Sequence, residues 1–467
     1  MGNDDESNPT RDKPRVGETR RRFLSATGVS LTLGLAGCSD GDGSGSDDGT
    51  PEDTEAMDDD GPTDEEDTAT AADEGDEGED EGTETDEEAE DEEGEEGEEG
   101  EEDEEEVQID PAYTGWPMVD QNVQNTRYRP DESGPRSVTE QWEHPLGGRR
   151  GSIPTVVDGL VYFATGSLQA VNAASGEQVW ERETENVISY DTCVVGGTVY
   201  AHDTTNVLAF DAETGEMQWQ KEIGEGTIVG TDDSIYVQSG ELDTVSLYSL
   251  DAETGDEEWR FEPIDEDQVG EDTFGARSNS WPAVVDGTVF VPDRGGSNLG
   301  GGILYAVDAD TGEAIWERRE TNAGAPVVDD GTLFVSNSDT GQLEALEAAT
   351  GDLQWAVGIS TSSRLAVADD TVVAGSDDGV VHALAAGSGD EEWTYDTGQD
   401  ETAGKPAVSD DTVVIGAGES LYGIDLETGD GLWEEELFNS VEGSPTVANG
   451  TVFVPHSDSA VHVFAEE

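Results

Sequence analysis

Basic residues are scarce: the 467-residue chain carries 20 Lys and Arg against 113 Asp and Glu, a formal net charge of -93. A surface of that sign repels phosphate backbones, which excludes electrostatic binding to nucleic acid. Cysteine is nearly absent. Cys38 and Cys193 are the two, too few for a disulfide scaffold, and no run of 18 apolar residues exists to span a membrane as a helix. Histidine is limited to His144, His202, His382, His456 and His462. None shows two-His metal spacing. His456 and His462 are six positions apart on different strands, so each reads as a strand residue and no metal site is expected. Cys193, in TCVVGG, reads as a packing residue. Gly300, Gly301 and Gly302 form a flexible loop without a following helix, and so make no phosphate cradle. Catalytic signals are poor.

The acids are unevenly spread. Residues 1–39 hold 6 basic and 5 acidic side chains, residues 40–106 hold 39 acidic and no basic ones, and residues 107–467 hold 69 and 14. The middle segment has almost nothing apolar to bury and cannot offset the entropy of ordering its backbone. Residues 38–106 are therefore expected to be a disordered acidic linker. Its 67 residues from 40 to 106 would reach about 220 Å fully extended and about 45 Å as a coil. Residues 107–467 stay acidic yet carry regular apolar runs, with Lys221 and Lys405 as their lysines. A compact domain of such charge is destabilised unless salt screens it, which points to adaptation to high salt. An acidic binding protein from a low-salt setting is the alternative.

The N-terminus reads as an address over residues 1–37. Thr19-Arg20-Arg21-Arg22-Phe23-Leu24 resembles the twin-arginine export motif, and SATGVSLTLGLAG follows with the length of a signal h-region. Leu35-Ala36-Gly37-Cys38 resembles a lipobox, which makes Cys38 the expected mature N-terminus and lipidation site, with Arg20 and Arg21 as the export signal. The chain is thus expected to be lipid-anchored on the extracellular face of the cell membrane, its linker holding the domain away from the surface.

Internal repeats decide the fold. VNAASGEQVW, FDAETGEMQW, LDAETGDEEW, VDADTGEAIW, LEAATGDLQW, LAAGSGDEEW and IDLETGDGLW share one pattern and end on Trp180, Trp219, Trp259, Trp316, Trp355, Trp393 and Trp433. The glycine four positions before each tryptophan fits a tight turn with positive φ between antiparallel strands. A second hairpin pattern, exemplified by IPTVVDGLVYFA and SPTVANGTVFVP, occurs eight times, with β-branched strands around Asp-Gly, Gly-Gly, Asn-Gly or Asp-Asp. Two hairpins make a four-stranded unit of about 40 residues, the period of a propeller blade. Eight first hairpins but seven tryptophan hairpins leave the last blade short. Val138-Thr139-Glu140-Gln141-Trp142 carries an eighth tryptophan and can complete it. The fold class is therefore all-β: an eight-bladed β-propeller of four-stranded antiparallel blades over residues 107–467, the last blade closed by an N-terminal strand.

These repeats resemble the tryptophan-docking motifs of quinoprotein-type (PQQ-like) β-propellers over essentially all of residues 111–467. The resemblance assigns Trp142 and the seven repeat tryptophans to packing between blades. Its enzymatic members bind PQQ with calcium, and many carry adjacent cysteines beside the cofactor, a pair this chain lacks. Gly115-Trp116-Pro117 through Asn125-Thr126-Arg127-Tyr128 resembles a lead-in shared by enzymatic and non-enzymatic propellers. Size and simplicity are more similar to the non-enzymatic lipoprotein group, which includes the propeller subunit of the outer-membrane assembly machinery.

Function is expected on the face of the variable loops rather than that of the short DG and TG turns. Blade four carries two insertions there, one with Arg277, Asn279 and the non-repeat Trp281, the other with Arg294. The propeller's basic residues, among them Arg149, Arg182, Arg318 and Arg364, avoid the short hairpins, which suggests a basic patch near the channel mouth; for Arg182, Lys221, Arg260, Arg318 and Arg319 the alternative is an outer-strand residue paired with neighbouring glutamates on a solvated face. Arg149, Arg277, Asn279, Trp281 and Arg294 are the candidate ligand-binding residues, for an anion such as a carboxylate or quinone. Two functions fit: an anchored scaffold that binds an exported protein partner or ligand without a cofactor, or a PQQ- and calcium-dependent dehydrogenase of alcohols or sugars.

Overall fold

The computed structural model describes residues 109–467 apart from 112, 114, 147–152, 185, 187, 242–243, 263–279, 294–301, 400, 439, 442–443 and 467. Arg20, Arg21, Cys38, Arg149, Arg150, Arg277, Asn279 and Arg294 lie outside the described residues. The described chain contains no α-helix. Its strands form eight sheets, each of four antiparallel strands, with one extra strand added to a single sheet. The fold is an eight-bladed β-propeller.

Two short strands come first, β1 (Tyr128–Arg129) and β2 (Thr139–Pro145). Blade one follows as β3 (Thr155–Val157), β4 (Leu160–Ala164), β5 (Leu168–Asn172) and β6 (Gln178–Arg182), running from the axis outward. Its composition explains this order. β4 reads LVYFA and is buried throughout, because both of its faces lie against neighbouring blades. β6 mixes exposed, half-buried and buried residues, as expected of an outermost strand with one face in water. The β3–β4 turn is Asp158-Gly159, with φ of 49° and 84°, the pair of positive angles that a two-residue type I′ hairpin requires.

The tryptophan sits at one place in every blade. Each outer strand, β2 included, shifts register by one residue next to its tryptophan. Such a bulge re-aims the following side chain, here into the adjoining blade. The indole Nε1 of Trp180 donates to Ala212 O at 3.1 Å, that of Trp259 to Ala309 O at 2.8 Å, and that of Trp355 to Ala386 O at 2.8 Å. Trp219, Trp316 and Trp393 repeat this with Ala252, Ala348 and Leu426. Every acceptor belongs to the outer turn of the next blade. The glycine of that turn then lies flat under the ring. A Cβ on Gly312 would come within 2.7 Å of the Trp259 ring, and its φ is +71°.

Gly287 provides a control, since its φ is +75° but nothing lies within 4 Å of a Cβ built there. Gly287→Ala should cost only the left-handed strain of about 1 kcal/mol. Gly312→Ala adds overpacking of about 1–3 kcal/mol and should be clearly worse. The two denaturation midpoints test this, and equal losses would show that the ring contact contributes nothing.

The ring closes through the N-terminus. β2 pairs antiparallel with Ala460–Ala465, placing Trp142 opposite Val463, and so becomes the outer strand of blade eight. Trp142 Nε1 then donates to Ala173 O of blade one at 3.3 Å. Blade eight's outer turn is interrupted by this exchange, so Trp433 of blade seven finds its acceptor at Pro135 O, 2.8 Å away. Arg136 fixes that segment through Asp411 and Asp425.

Candidate functional site

The lead-in before β1 runs across the inner strand of one blade after another. Trp116 bridges Val156 of blade one and Met118 bridges Cys193 of blade two. Val123 O, Gln124 O, Thr126 O and Arg127 O then accept from Val284, Val328, Val367 and Val408 of blades four to seven. β1 completes the path by pairing in parallel with Ala407–Ser409. The valines lie beside the short inner turns, so the lead-in crosses the channel on the short-turn face.

From this crossing, side chains reach up the axis. Asn125 Nδ2 donates to Pro282 O and Pro326 O at 3.1 and 2.9 Å, tying blades four and five. Arg127, with no exposed surface, donates to Pro406 O, Val119 O, Asp120 Oδ1 and Pro445 O at 2.5, 3.0, 3.0 and 3.1 Å. Its guanidinium also lies 5.3 Å from the Trp116 ring centre. Burial pulls its pKa down to about 10, Asp120 opposes this and Arg364 adds to it. It stays charged at neutral pH.

Arg364 enters from the start of the inner strand Leu365–Ala368. Its Nη1 donates to the same Asp120 Oδ1 at 2.5 Å, and its guanidinium lies 3.5 Å from the ring centre of Trp281. One carboxylate therefore serves two guanidinium groups. The buried trio carries a net positive charge inside a strongly acidic chain. Around it, Asp120 Oδ2, Arg364 Nη2, Trp281 Nε1 and the hydroxyls of Ser280, Ser363 and Ser444 are buried and make no hydrogen bond among the described residues. Buried polar atoms are nearly always bonded, so such a group marks a place for a polar occupant or water.

Among the candidate ligand-binding residues, Trp281 alone lies within the described residues, half-buried under Arg364. For the described outer-strand arginines the alternative to a basic mouth holds. Arg182 caps the next blade's turn at Gly215 O and Thr214 O, Arg318 binds Gly351 O and Glu344, and Arg260 and Arg319 make exposed pairs with nearby glutamates. Of these described arginines only Arg364 reaches the axis. Arg127, its deeper counterpart, had no place among the expected site residues because it belongs to no repeat.

The short-turn face also differs from expectation. It holds an open depression of about 410 Å³, lined by Gln124, Thr126 and Tyr128 of the lead-in and by Asp329, Asp330 and Asp369 of the inner turns. Burial, then the carboxylates of Asp330, Asp369 and Asp370, hold the Asp329 carboxyl above its usual range. An acid raised on folding destabilises the native state above its folded pKa, and the penalty vanishes below the unfolded value. Asp329→Asn should therefore raise the unfolding midpoint at pH 7 and give no gain near pH 3. A gain that persists at pH 3 would exclude charge as its cause.

The structure adds a proximity that the histidine spacing did not show. Although six positions apart on the chain, His456 and His462 face one another across a tight turn, with ring centres 5.0 Å apart and Asp458 between them. An i, i+6 spacing is invisible to helix-based metal motifs but natural where a strand reverses.

Calcium and a quinone, which the enzymatic members of the resembled group hold, fit the described axis poorly. Calcium takes six to eight oxygen ligands. The one described carboxylate in the axial cluster, Asp120, is already neutralised by two arginines, and Arg364 covers a face of Trp281 that a planar cofactor would stack on. Among the described residues the donor set does not suit a calcium ion.

Solved structures similar to this chain share its architecture. BamB from Moraxella catarrhalis is 18% identical with a TM-score of 0.55, covering 70% of this chain and 100% of that one. Europium-containing methanol dehydrogenase is 14% identical with a TM-score of 0.64, covering 75% and 98%. Quinohemoprotein alcohol dehydrogenase from Comamonas testosteroni is 16% identical with a TM-score of 0.62, covering 75% and 80%. At these identities the likeness is one of fold. No curated protein matches the chain. The repeat itself is more telling: the model described as outer membrane protein assembly factor BamB matches five overlapping segments, 135–228, 164–319, 243–395, 300–437 and 377–467. These run unbroken through all the repeat tryptophans, and the chain belongs to that family of repeat propellers.

Proposed function

We propose that this chain is an exported, lipid-anchored propeller of the cell surface that acts as an interaction scaffold, its axial arginines receiving an anionic group of a partner protein or ligand. One observation carries this reading: Asp120 is shared by Arg127 and Arg364, which leaves buried positive charge and donors at Arg364 Nη2 and Trp281 Nε1 without a partner. A carboxylate placed there would satisfy both donors and balance the charge. Membership of a family named for membrane-protein assembly supports a scaffold, and the leader through Cys38 supports export and anchoring.

A pull-down from native membranes should recover a partner with the wild-type chain and lose it with Arg364→Met. Equal recovery would remove the axis from the reading. Cys38→Ser should release the protein from membranes, and unchanged retention would contradict lipidation.

The second reading, a quinoprotein dehydrogenase, draws on the likeness of fold to a quinohemoprotein alcohol dehydrogenase and a methanol dehydrogenase. Incubation with PQQ and Ca²⁺ separates the two. We expect no retained quinone absorbance; retention with dye-linked oxidation of alcohols or sugars would replace the scaffold by the enzyme.

A further inference from the structure

We propose that His456, Asp458 and His462 form a site for a divalent transition metal in the turn of blade eight, locking the N-terminal closing strand to the C-terminal one. His456 follows Thr451–Pro455, and His462 lies on Ala460–Ala465. The turn between them brings one ligand atom from each of the three residues within 4.8 Å of the others. His456 Nδ1 stands 3.1 Å from Asp458 Oδ1, and His462 Nε2 stands 3.0 Å from Asp458 Oδ2. Two imidazoles and a carboxylate suit zinc, cobalt, nickel or copper and disfavour calcium and magnesium, which take oxygen ligands.

The other nitrogen of His462 adds a second feature. Nδ1 lies 2.7 Å from Glu140 Oε1, on β2. A carboxylate on the far nitrogen is the arrangement that orients a metal-bound imidazole and raises its basicity. Metal on Nε2 and Glu140 on Nδ1 would thus connect β2, which closes the ring, to the last strand of the chain.

Blade six shows that the turn does not need this chemistry. Its sequence GSDDGVVH aligns with PHSDSAVH of blade eight, so that Asp378 matches Asp458 and His382 matches His462. Even the carboxylate is matched, with His382 Nδ1 at 3.4 Å from Glu391. At the place of His456, however, blade six has Ser376, whose hydroxyl bonds to Asp378. A serine suffices to build the turn. The second imidazole is the addition in blade eight.

The many surface carboxylates bind divalent cations weakly, so the test must single out nitrogen ligation. The full chain, stripped with a chelator and kept in excess Mg²⁺, is titrated with Co²⁺ while visible ligand-field absorption is followed. We expect saturation at one Co²⁺ per chain, displacement by Zn²⁺, and a rise in unfolding midpoint on metal binding. His456→Ser, which copies blade six, should abolish the absorption, as should Asp458→Asn at a side chain 35% exposed. Glu140→Gln should weaken binding by about 10–100-fold. Absence of saturable absorption in the wild type, or its survival in His456→Ser, would overturn the site; circular dichroism of each variant shows whether the fold is retained.

Discussion

Arg127→Met should lower the stability of the propeller by about 3–5 kcal/mol, the loss typical of removing one partner from a buried ion pair. The side chain is wholly buried, and four oxygens depend on it. Methionine keeps much of the stem but offers no donor. The carbonyls of Pro406 and Pro445 would then stand unsatisfied on the axis, each at the start of an inner strand in a different blade. Lysine is an informative second variant. It retains the charge but lacks the planar fork that reaches several acceptors at once, so Arg127→Lys should fall between wild type and Arg127→Met. Urea unfolding followed by tryptophan fluorescence at fixed salt gives both values. A shift below about 1 kcal/mol for Arg127→Met would mean that the axial crossing hangs on the propeller without supporting it.

The reason for so large an effect is topological. Neighbouring blades already touch through their tryptophans at the periphery, where each indole serves one interface. Near the axis the inner strands are short, three residues in β3 for example, and have few side chains to hold them together. Arg127 and Asn125 supply what is missing by joining the inner-strand prolines of blades seven and eight, and of blades four and five. The lead-in is thus an internal tie, and its strength rests on buried hydrogen bonds whose partners are 157 to 318 positions away in sequence.

Such distance explains which parts were legible in the sequence. The blades were, because a tryptophan, a positive-φ glycine and a β-branched hairpin recur at one spacing and each marks a local requirement. Closure by β2 was legible by counting, since one tryptophan strand was missing at one end of the chain and one was in surplus at the other. The axis was not. Arg127 and Asp120 occur once each, in a segment without period, and nothing local shows that Pro406 and Pro445 will meet them. For the basic residues near repeat tryptophans a patch and a solvated outer-strand pairing were both open, and Arg182 and Arg318 turn out to cap turns of the next blade, a role fixed by the twist between blades. Trp281 was picked out as a non-repeat aromatic. Its partner, Arg364, became evident only once blades four and six faced the same axis. For His462 the strand assignment was sound, while His456 falls just past the end of Thr451–Pro455; the missed step was that residues flanking a tight turn face one another.

Trp142→Ala should have a comparable cost, about 3–5 kcal/mol for a large aromatic removed from a packed interface, with a consequence the other tryptophans do not share. Trp142 packs edge-on against Phe453 of its own blade, with ring centres 6.1 Å apart, while its indole meets Gly176 and Ala173 O of blade one. Among the described residues it therefore acts in the one blade whose outer strand precedes the other three strands in sequence by the length of the other seven blades. Trp355 makes the corresponding contact between blades that follow one another in sequence, so Trp355→Ala weakens a seam that the backbone still holds. When β2 is loosened, Ala460–Ala465 becomes a free edge with unpaired backbone groups. Limited proteolysis should then cut Trp142→Ala within residues 456–467 well before Trp355→Ala is cut there. A chain truncated to begin at residue 146, which lacks both the strand and the axial lead-in, should lose cooperative unfolding. If both point variants were cut at the same places and rates, closure would add nothing beyond one more interface, and the ring would behave as an open stack of blades.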